Sequence, residues 1–215
     1  MSKQEKLQKL EKEMEEDESL PLKQSNLVFG EGDPESNVMF IGEAPGYHEN
    51  KQGRPFVGKA GQWMNEVLED DLGWQREDVY ITNIVKRRPP SNRDPTEEEI
   101  SAYKPYLTKQ IKIIDPPVIT PLGRFAMNYF IPNKKISKNQ GKIFWLKDKI
   151  VFPIYHPAAA LRSGSVKEDT KKSFLKLKKV VEKYDDLLEE ERDSGPEREA
   201  SGQGKQKGKE NNSLF

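Results

Sequence analysis

Four short apolar runs, each ending at a turn or a glycine, constrain the fold of this chain more than any other feature. Val38-Met39-Phe40-Ile41 runs into Gly42, and Val79-Tyr80-Ile81-Thr82-Asn83-Ile84-Val85 runs into Lys86. Val118-Ile119-Thr120 is the third, and Ile150-Val151-Phe152-Pro153-Ile154-Tyr155 delivers His156. Runs that are apolar with little alternation suit strands buried on both faces. Between them lie helical patterns. Gly61 to Leu72 spaces Trp63, Met64, Val67 and Leu68 as a helix would, and Leu122 to Phe130 predicts a further helix. Thr96 and Glu99 form a capping-box pair at the head of a helix running through Ile114. Strand and helix in alternation predict an α/β fold, with a parallel sheet covered on both faces.

The ends differ from this middle. Residues 3–18 set Leu7, Leu10 and Met14 on one stripe of a charged helix, which Ser19-Leu20-Pro21-Leu22 breaks. Residues 168–191 predict a last amphipathic helix built on Phe174, Leu175, Leu177, Val180, Val181, Tyr184, Leu187 and Leu188. Beyond it the chain is Gly, Ser, Lys, Gln and Glu, a composition with too little apolar surface to fold. The division expected is a charged helix and linker over 1–22, a folded domain over 23–191 and a disordered polar tail over 192–215. Of all 215 residues 33% are hydrophobic and 33% charged, which fits a chain only part of which is core.

Several classes are excluded. No apolar run approaches the ~20 residues of a membrane-spanning helix. Met1-Ser2-Lys3-Gln4-Glu5 opens no secretory signal, so the expected location is cytoplasmic, and nucleoid-associated if the source is prokaryotic. There is no cysteine, hence no disulfide, thiolate-held metal or cysteine nucleophile. Net charge is zero overall, but residues 23–167 hold 21 basic against 17 acidic side chains. That modest bias suits contact with a few phosphates.

Three loops follow predicted strand ends, where open parallel sheets place their sites. The first is Gly42-Glu43-Ala44-Pro45-Gly46-Tyr47-His48-Glu49-Asn50, continuing to Gly53-Arg54-Pro55-Phe56-Val57-Gly58. The second runs from Thr82-Asn83-Ile84-Val85-Lys86 to Arg93, and the third is Tyr155-His156-Pro157-Ala158-Ala159-Ala160-Leu161-Arg162. In this order and spacing, from about Val28 to Arg162, they resemble the signature of the family 4 uracil-DNA glycosylases. The resemblance implies a three-layer sandwich, a four-stranded parallel sheet flanked by helices. It also implies a monofunctional enzyme that removes uracil from DNA at the start of base excision repair.

The residues suit that chemistry. A glycosylase takes its base out of the stack and into a pocket. Phe56, between Pro55 and Gly58, can stack on a flipped pyrimidine. The Asn83 amide offers one donor and one acceptor, matching the O4 and N3–H edge of uracil and mismatching cytosine. His156 is placed to hydrogen-bond O2 and stabilise the departing anion. Glu43 and Glu49 can each orient the attacking water or stabilise a cationic sugar, and the pattern does not decide between them. Ala44 and Asn92 complete the expected uracil contacts. In the family, Asp usually stands where this chain has Asn50. The cluster Lys86, Arg87, Arg88 and Arg93 is expected on phosphate, with a solvated face as the alternative. By resemblance the segment holding Ala159, Leu161 and Arg162 presses into the minor groove, with Leu161 as a wedge and Arg162 on phosphate.

The resemblance also implies a four-iron cluster on four cysteines. In register, those positions are Asp17, Leu20, Arg87 and Tyr103. None is cysteine, so no metal is expected. A related enzyme traps DNA covalently through a histidine after Lys-Arg-Arg-Ile; here Lys86-Arg87-Arg88 leads to Pro89, and ordinary turnover is expected. The alternative to an enzyme is a DNA- or partner-binding module on the same fold. A monomer is expected, and Ser213-Leu214-Phe215 resembles the end of the peptides by which repair proteins dock on the replication sliding clamp.

Overall fold

The computed structural model describes the backbone of residues 1–200 and the side chains of residues 1–193. Among these, β1 (Glu31–Gly32), β2 (Val38–Gly42), β3 (Tyr80–Asn83), β4 (Val118–Pro121), β5 (Phe144–Leu146) and β6 (Lys149–Val151) form one sheet. Its order is β1-β3-β2-β4-β6-β5. The inner quartet β3-β2-β4-β6 is parallel, as the four apolar runs predict. Both edges are antiparallel and were not expected. β1 is only two residues long, too short for a periodic signal. β5 returns to β6 through Lys147-Asp148, with Lys147 at φ 56°, and lacks the Asn-Gly or Asp-Gly cue that usually marks such a hairpin.

The last apolar run is longer than its strand. Pro153 cannot donate to a ladder, and β6 ends at Val151. The backbone nonetheless stays alongside β4, through Phe152 N–H to Ile119 O at 2.8 Å and Ile154 N–H to Pro121 O at 3.0 Å. His156 therefore arrives at the same sheet end as the other loops.

The helices are α1 (Lys3–Glu16), α2 (Tyr47–Gln52), α3 (Lys59–Glu66), α4 (Glu97–Ile114), α5 (Gly123–Phe130), α6 (Ile136–Asn139), α7 (Pro157–Ala160), α8 (Gly164–Glu182) and α9 (Tyr184–Ala200). Alternate strand residues point to opposite faces, and this sorts the core. Phe40, Ile81 and Phe152 pack with Met64 of α3 and with Phe174 and Leu177 of α8. Ile41, Tyr80 and Ile119 pack on the other face with Leu7, Leu10 and Met14 of α1 and with Tyr103, Leu107 and Ile111 of α4. The result is the expected three layers. Each fully buried side chain of this size contributes about 1.5–3 kcal/mol, so α1 is held chiefly by its apolar stripe.

The Thr96 capping box forms: Thr96 Oγ1 accepts from Glu99 N at 3.2 Å, and Glu99 Oε2 accepts from Thr96 N at 2.9 Å. The helix expected over 61–72 begins earlier, at Lys59, and changes to a π-helical turn over Val67–Leu72. The single helix expected over 168–191 is two, α8 and α9, broken at Lys183. α9 reaches Ala200, past the point at 192 where the polar tail was expected to start, although Gly195 and Pro196 within it are poor helix formers. The rest of that tail, with Ser213, Leu214 and Phe215, lies outside the described residues. No described helix is long and apolar enough to cross a membrane.

Candidate active site

Gly42 and Asn83 face each other at the carboxyl ends of β2 and β3. A β-carbon on Gly42 would lie 2.4 Å from Asn83 Oδ1 and 2.5 Å from Phe56 Cζ. The missing side chain is what lets the amide and the ring come together. The Phe56 and His156 rings are 5.6 Å apart between centroids and tilted by 32°. Gly123, at φ 88°, backs the histidine; a β-carbon there would lie 3.0 Å from His156 Cβ. Three strand-end loops thus bring Phe56, Asn83 and His156 to one place, as the sequence predicts.

Phe56 is held in an unfavourable conformation. Its φ is 50°, an outlier for a bulky aromatic side chain. Such strain persists only where surrounding contacts over-determine it, and here Arg76 supplies them. Its guanidinium donates to the carbonyls of Pro55 and Phe56, to Asn65 Oδ1 at 2.8 Å and to Glu31 Oε1 at 2.7 Å. Arg54 Nε donates to the other oxygen of Glu31 at 2.6 Å. Burial works to raise the Glu31 pKa, but the hydrogen bonds and charges of Arg54 and Arg76 outweigh it and hold the carboxyl low. Gly61 is also required: a β-carbon there would lie 1.8 Å from Phe56 O. Sequence reasoning missed Arg76, which sits in a short turn with nothing local to mark it.

The two carboxylates that the sequence left open have different surroundings. Glu49 is turned into its own loop: Oε1 accepts from Val57 N at 2.9 Å and Gly58 N at 2.7 Å, and Oε2 from Gly46 N at 3.2 Å. With both oxygens accepting from backbone amides, Glu49 ties its loop together, whereas among the described residues Glu43 makes no such contacts. Glu43 is half-buried at the end of β2. Burial pushes its carboxyl up to about 7, the negative charge of Asp94 adds to this, and Arg124 opposes it. Arg124 and Asp94 pair at 2.6 Å. Both were missed; Arg124 stands just beyond β4, the one inner strand end not searched.

His156 caps α7, and its Nδ1 accepts from Ala158 N at 3.2 Å. Burial lowers its pKa to about 4, Glu49 pulling the other way and Arg162 adding to the fall. The imidazole is therefore neutral at pH 7. With Nδ1 assigned as the acceptor, the proton belongs on Nε2.

The basic cluster is not the phosphate patch that was expected. Lys86 is fully buried, and its Nζ donates to Thr82 Oγ1 and Gln110 Oε1. Burial drives its pKa well below the ordinary lysine value. Arg87 is 3% exposed and donates to Ser25 O and to Glu15 Oε2, the latter at 2.6 Å. Neither can reach a phosphate without leaving the interior. Arg93 is at the surface but forked onto Glu99 at 2.8 and 2.5 Å. Arg88 Nε donates to Asn92 Oδ1 at 2.6 Å, which turns the exposed Asn92 toward the cluster. On the third loop Leu161 and Arg162 are exposed and Ala159 is half-buried. Ala44 is half-buried and packs against the core on the α1 side.

The four positions at which the resemblance would place a cluster do not fit one. They carry a carboxylate, an alkyl chain, a guanidinium and a phenol where a four-iron cluster needs four thiolates. Each also has other work. Asp17 Oδ2 accepts from Tyr106 OH at 2.7 Å, Tyr103 OH donates to Pro21 O at 2.7 Å, Arg87 bridges Glu15 and Ser25, and Leu20 is core. Among the described residues no group of three or more His, Cys, Asp or Glu could hold a metal ion. These contacts tie the N-terminal segment to β3 and α4.

The chain is similar to known proteins along most of this architecture. The profile of the uracil DNA glycosylase superfamily matches residues 29–181. The type-4 uracil-DNA glycosylase of Sulfurisphaera tokodaii is 45% identical over 73% of this chain and 76% of its own length. That of Thermotoga maritima is 47% identical over 73% of this chain and 87% of its own length. The type-4 enzyme of Saccharolobus solfataricus is 44% identical, again over 73% of this chain and 76% of its own. By profile, by identity and by the strand-end loops, the chain belongs to the uracil-DNA glycosylase superfamily, among its type-4 members.

Proposed function

We propose that this chain is a monofunctional uracil-DNA glycosylase of base excision repair. The observation that carries the reading is the convergence of Phe56, Asn83 and a neutral His156 around Gly42. An extruded uracil stacks on the Phe56 ring. The Asn83 amide donates to O4 and accepts from N3–H; cytosine presents an amino group and a bare N3 there, so both contacts fail. As the C1′–N1 bond breaks, its electron pair passes into the uracil ring and onto O2. The His156 Nε2–H donates to that oxygen without adding a proton of its own, a stabilisation that grows as the charge develops. Water attacks C1′ from the other side, and the Glu43 carboxylate takes its proton. A carboxyl with a pKa of about 7 suits a base working near neutrality.

Glu49 and Arg76 hold the loop that carries Phe56. Leu161 and Ala159 enter the space of the extruded nucleotide, and Arg162 and Arg88 meet phosphate. The enzyme acts as a monomer without an iron–sulfur cluster, its N-terminal segment fastened by Arg87, Tyr103 and Tyr106. Ser213-Leu214-Phe215 docks on the sliding clamp, which a peptide of residues 203–215 tests directly. The decisive experiment is release of free uracil from a uracil-containing oligonucleotide, with thymine and cytosine controls. DNA binding without any uracil release would leave only a binding module on this fold. A colourless protein whose activity survives chelation is expected, and stoichiometric iron would refute that part.

A further inference from the structure

Tyr47 opens α2 four residues after Glu43, and its side chain is 55% exposed. A single open aromatic residue is ordinary on a protein surface, but this one is braced from two loops. Its ring meets His48 edge-on, with centroids 5.4 Å apart at 83°. The Arg88 guanidinium, from the loop after β3, lies 5.4 Å from its centroid. Arg88 is in turn fixed by Asn92 Oδ1 through its side chain, and by Ser25 Oγ, which donates to its carbonyl at 2.8 Å. Of the four cations in that loop, Lys86 is buried and Arg87 and Arg93 are paired with Glu15 and Glu99. Among the described residues Arg88 faces an amide and a ring and no carboxylate, which leaves its charge for a partner.

An exposed ring beside an uncompensated guanidinium is the combination that receives a nucleic-acid strand, base against ring and phosphate against cation. Distance selects which base. Four residues of backbone span at most about 14 Å, so the ring stays within a nucleotide or two of anything held at Glu43. Extruding a base also leaves its neighbour with one face unstacked. We propose that Tyr47, braced by Arg88 and Asn92, is the platform on which a nucleobase adjoining the extruded uracil stacks, in the same strand. The proposal rests on the glycosylase reading and adds a subsite to it.

The test compares wild type, Tyr47→Ala and Tyr47→Phe for kcat/KM on single-stranded uracil oligonucleotides. One substrate is intact, and two others carry a tetrahydrofuran abasic analogue immediately 5′ or 3′ of the uracil. Loss of a stacked aromatic side chain corresponds to a drop of about 5- to 150-fold. Tyr47→Ala should show that drop on the intact strand, mostly in KM, with Tyr47→Phe close to wild type. Wild type should lose a similar factor on one of the two abasic-flanked strands, and on that strand Tyr47→Ala should lose nothing further. An equal penalty for Tyr47→Ala on all three strands overturns the stacking assignment, as does a Tyr47→Phe variant no better than Tyr47→Ala or the absence of any penalty. Wild-type release on the intact strand is the separate check of the glycosylase reading itself.

Discussion

The loops that follow β2 and β3 are neighbours, yet they use charge in opposite ways. The loop after β2 closes around an acid: Glu49 accepts from three of its backbone amides, and Arg76 reaches in to hold the carbonyls of Pro55 and Phe56. What this loop sets at the sheet end is a buried ring in a strained backbone and a half-buried carboxyl, Glu43, with a raised pKa. The loop after β3 is the densest basic stretch in the middle of the chain, and it turns Lys86 and Arg87 inward. There they hold β3 to Gln110 of α4 and to Glu15 of α1. In the proposed reading the first loop carries chemistry, while Lys86 and Arg87 make the start of the second a buttress. Density of charge along a sequence reports neither exposure nor role.

If that division is right, substitutions should separate into losses of rate and losses of stability. The largest rate effect belongs to His156→Ala, which removes the donor to the departing uracil. A drop of about 10²–10³ in single-turnover rate is expected, with the melting temperature nearly kept. Wild-type turnover by this variant would remove His156 from the mechanism. Next come the two clamps. Arg76→Ala frees Phe56 to relax its backbone, and misplacement of a positioning group by about 1 Å can cost up to ~10²-fold. A fall of about 10- to 100-fold in kcat/KM on uracil DNA is therefore expected for Arg76→Ala. Arg87→Ala should instead cost about 1–3 kcal/mol of stability, read by urea unfolding, while kcat on the folded enzyme stays within about threefold of wild type. If the two arginine variants exchange behaviours, the contrast between the loops fails.

Glu43 supplies the test by pH. In the proposed mechanism the carboxylate is the working form, so kcat/KM should fall tenfold per unit as the pH drops below about 7. Burial is the main cause of that position, so it should persist in both neighbour variants. Asp94→Asn removes a raising charge and should move the limb down, while Arg124→Ala should move it up. His156, lowered to about 4, contributes no limb near neutrality. The stability effect has the opposite sense. A carboxyl whose pKa is higher folded than unfolded binds its proton more tightly when folded, so its cost is absent below about 4.5 and complete above about 7. Glu43→Gln should therefore raise the melting temperature at pH 8 and leave it unchanged at pH 4. No gain at pH 8 would show that Glu43 ionises there without penalty.

Much of the fold was legible because burial on two faces leaves a local signature. Val38 to Ile41 could be read as a central strand, and Leu7, Leu10 and Met14 as a stripe, without any knowledge of their partners. The edge strands have no such signature, since Glu31-Gly32 is two residues long and pairs on one side only, with β3. In the site, the residues proposed to meet the base were picked out by their types: a ring, an amide and an imidazole at strand ends. The residues that hold them were not. Arg76 acts on carbonyls twenty and more positions away, and Glu49 resembles Glu43 until its three amide donors are located. Lys86 was misread because a lysine in a run of cations looks solvated, whereas its place just beyond β3 carries it under α4.

The smallest effect tests the misread residue itself. A side chain on phosphate releases counterions when it binds, so log K falls with log salt, and each contact adds about 0.9 to the slope for duplex DNA. Arg162 is exposed beside the proposed wedge, so Arg162→Ala should reduce the slope by about 1. Between 50 and 200 mM salt that is a change of about fourfold in relative affinity. Lys86→Met keeps the bulk of a buried chain and removes only its amine, which meets Thr82 and Gln110 rather than solvent. Its slope should equal that of wild type, although its stability will shift with the lost hydrogen bonds. Binding is measured on a duplex without uracil, so that turnover does not intrude. A slope reduced as much by Lys86→Met as by Arg162→Ala would mean that Lys86 leaves the interior when DNA binds, and the buried part of the second loop would then belong to the interface as well.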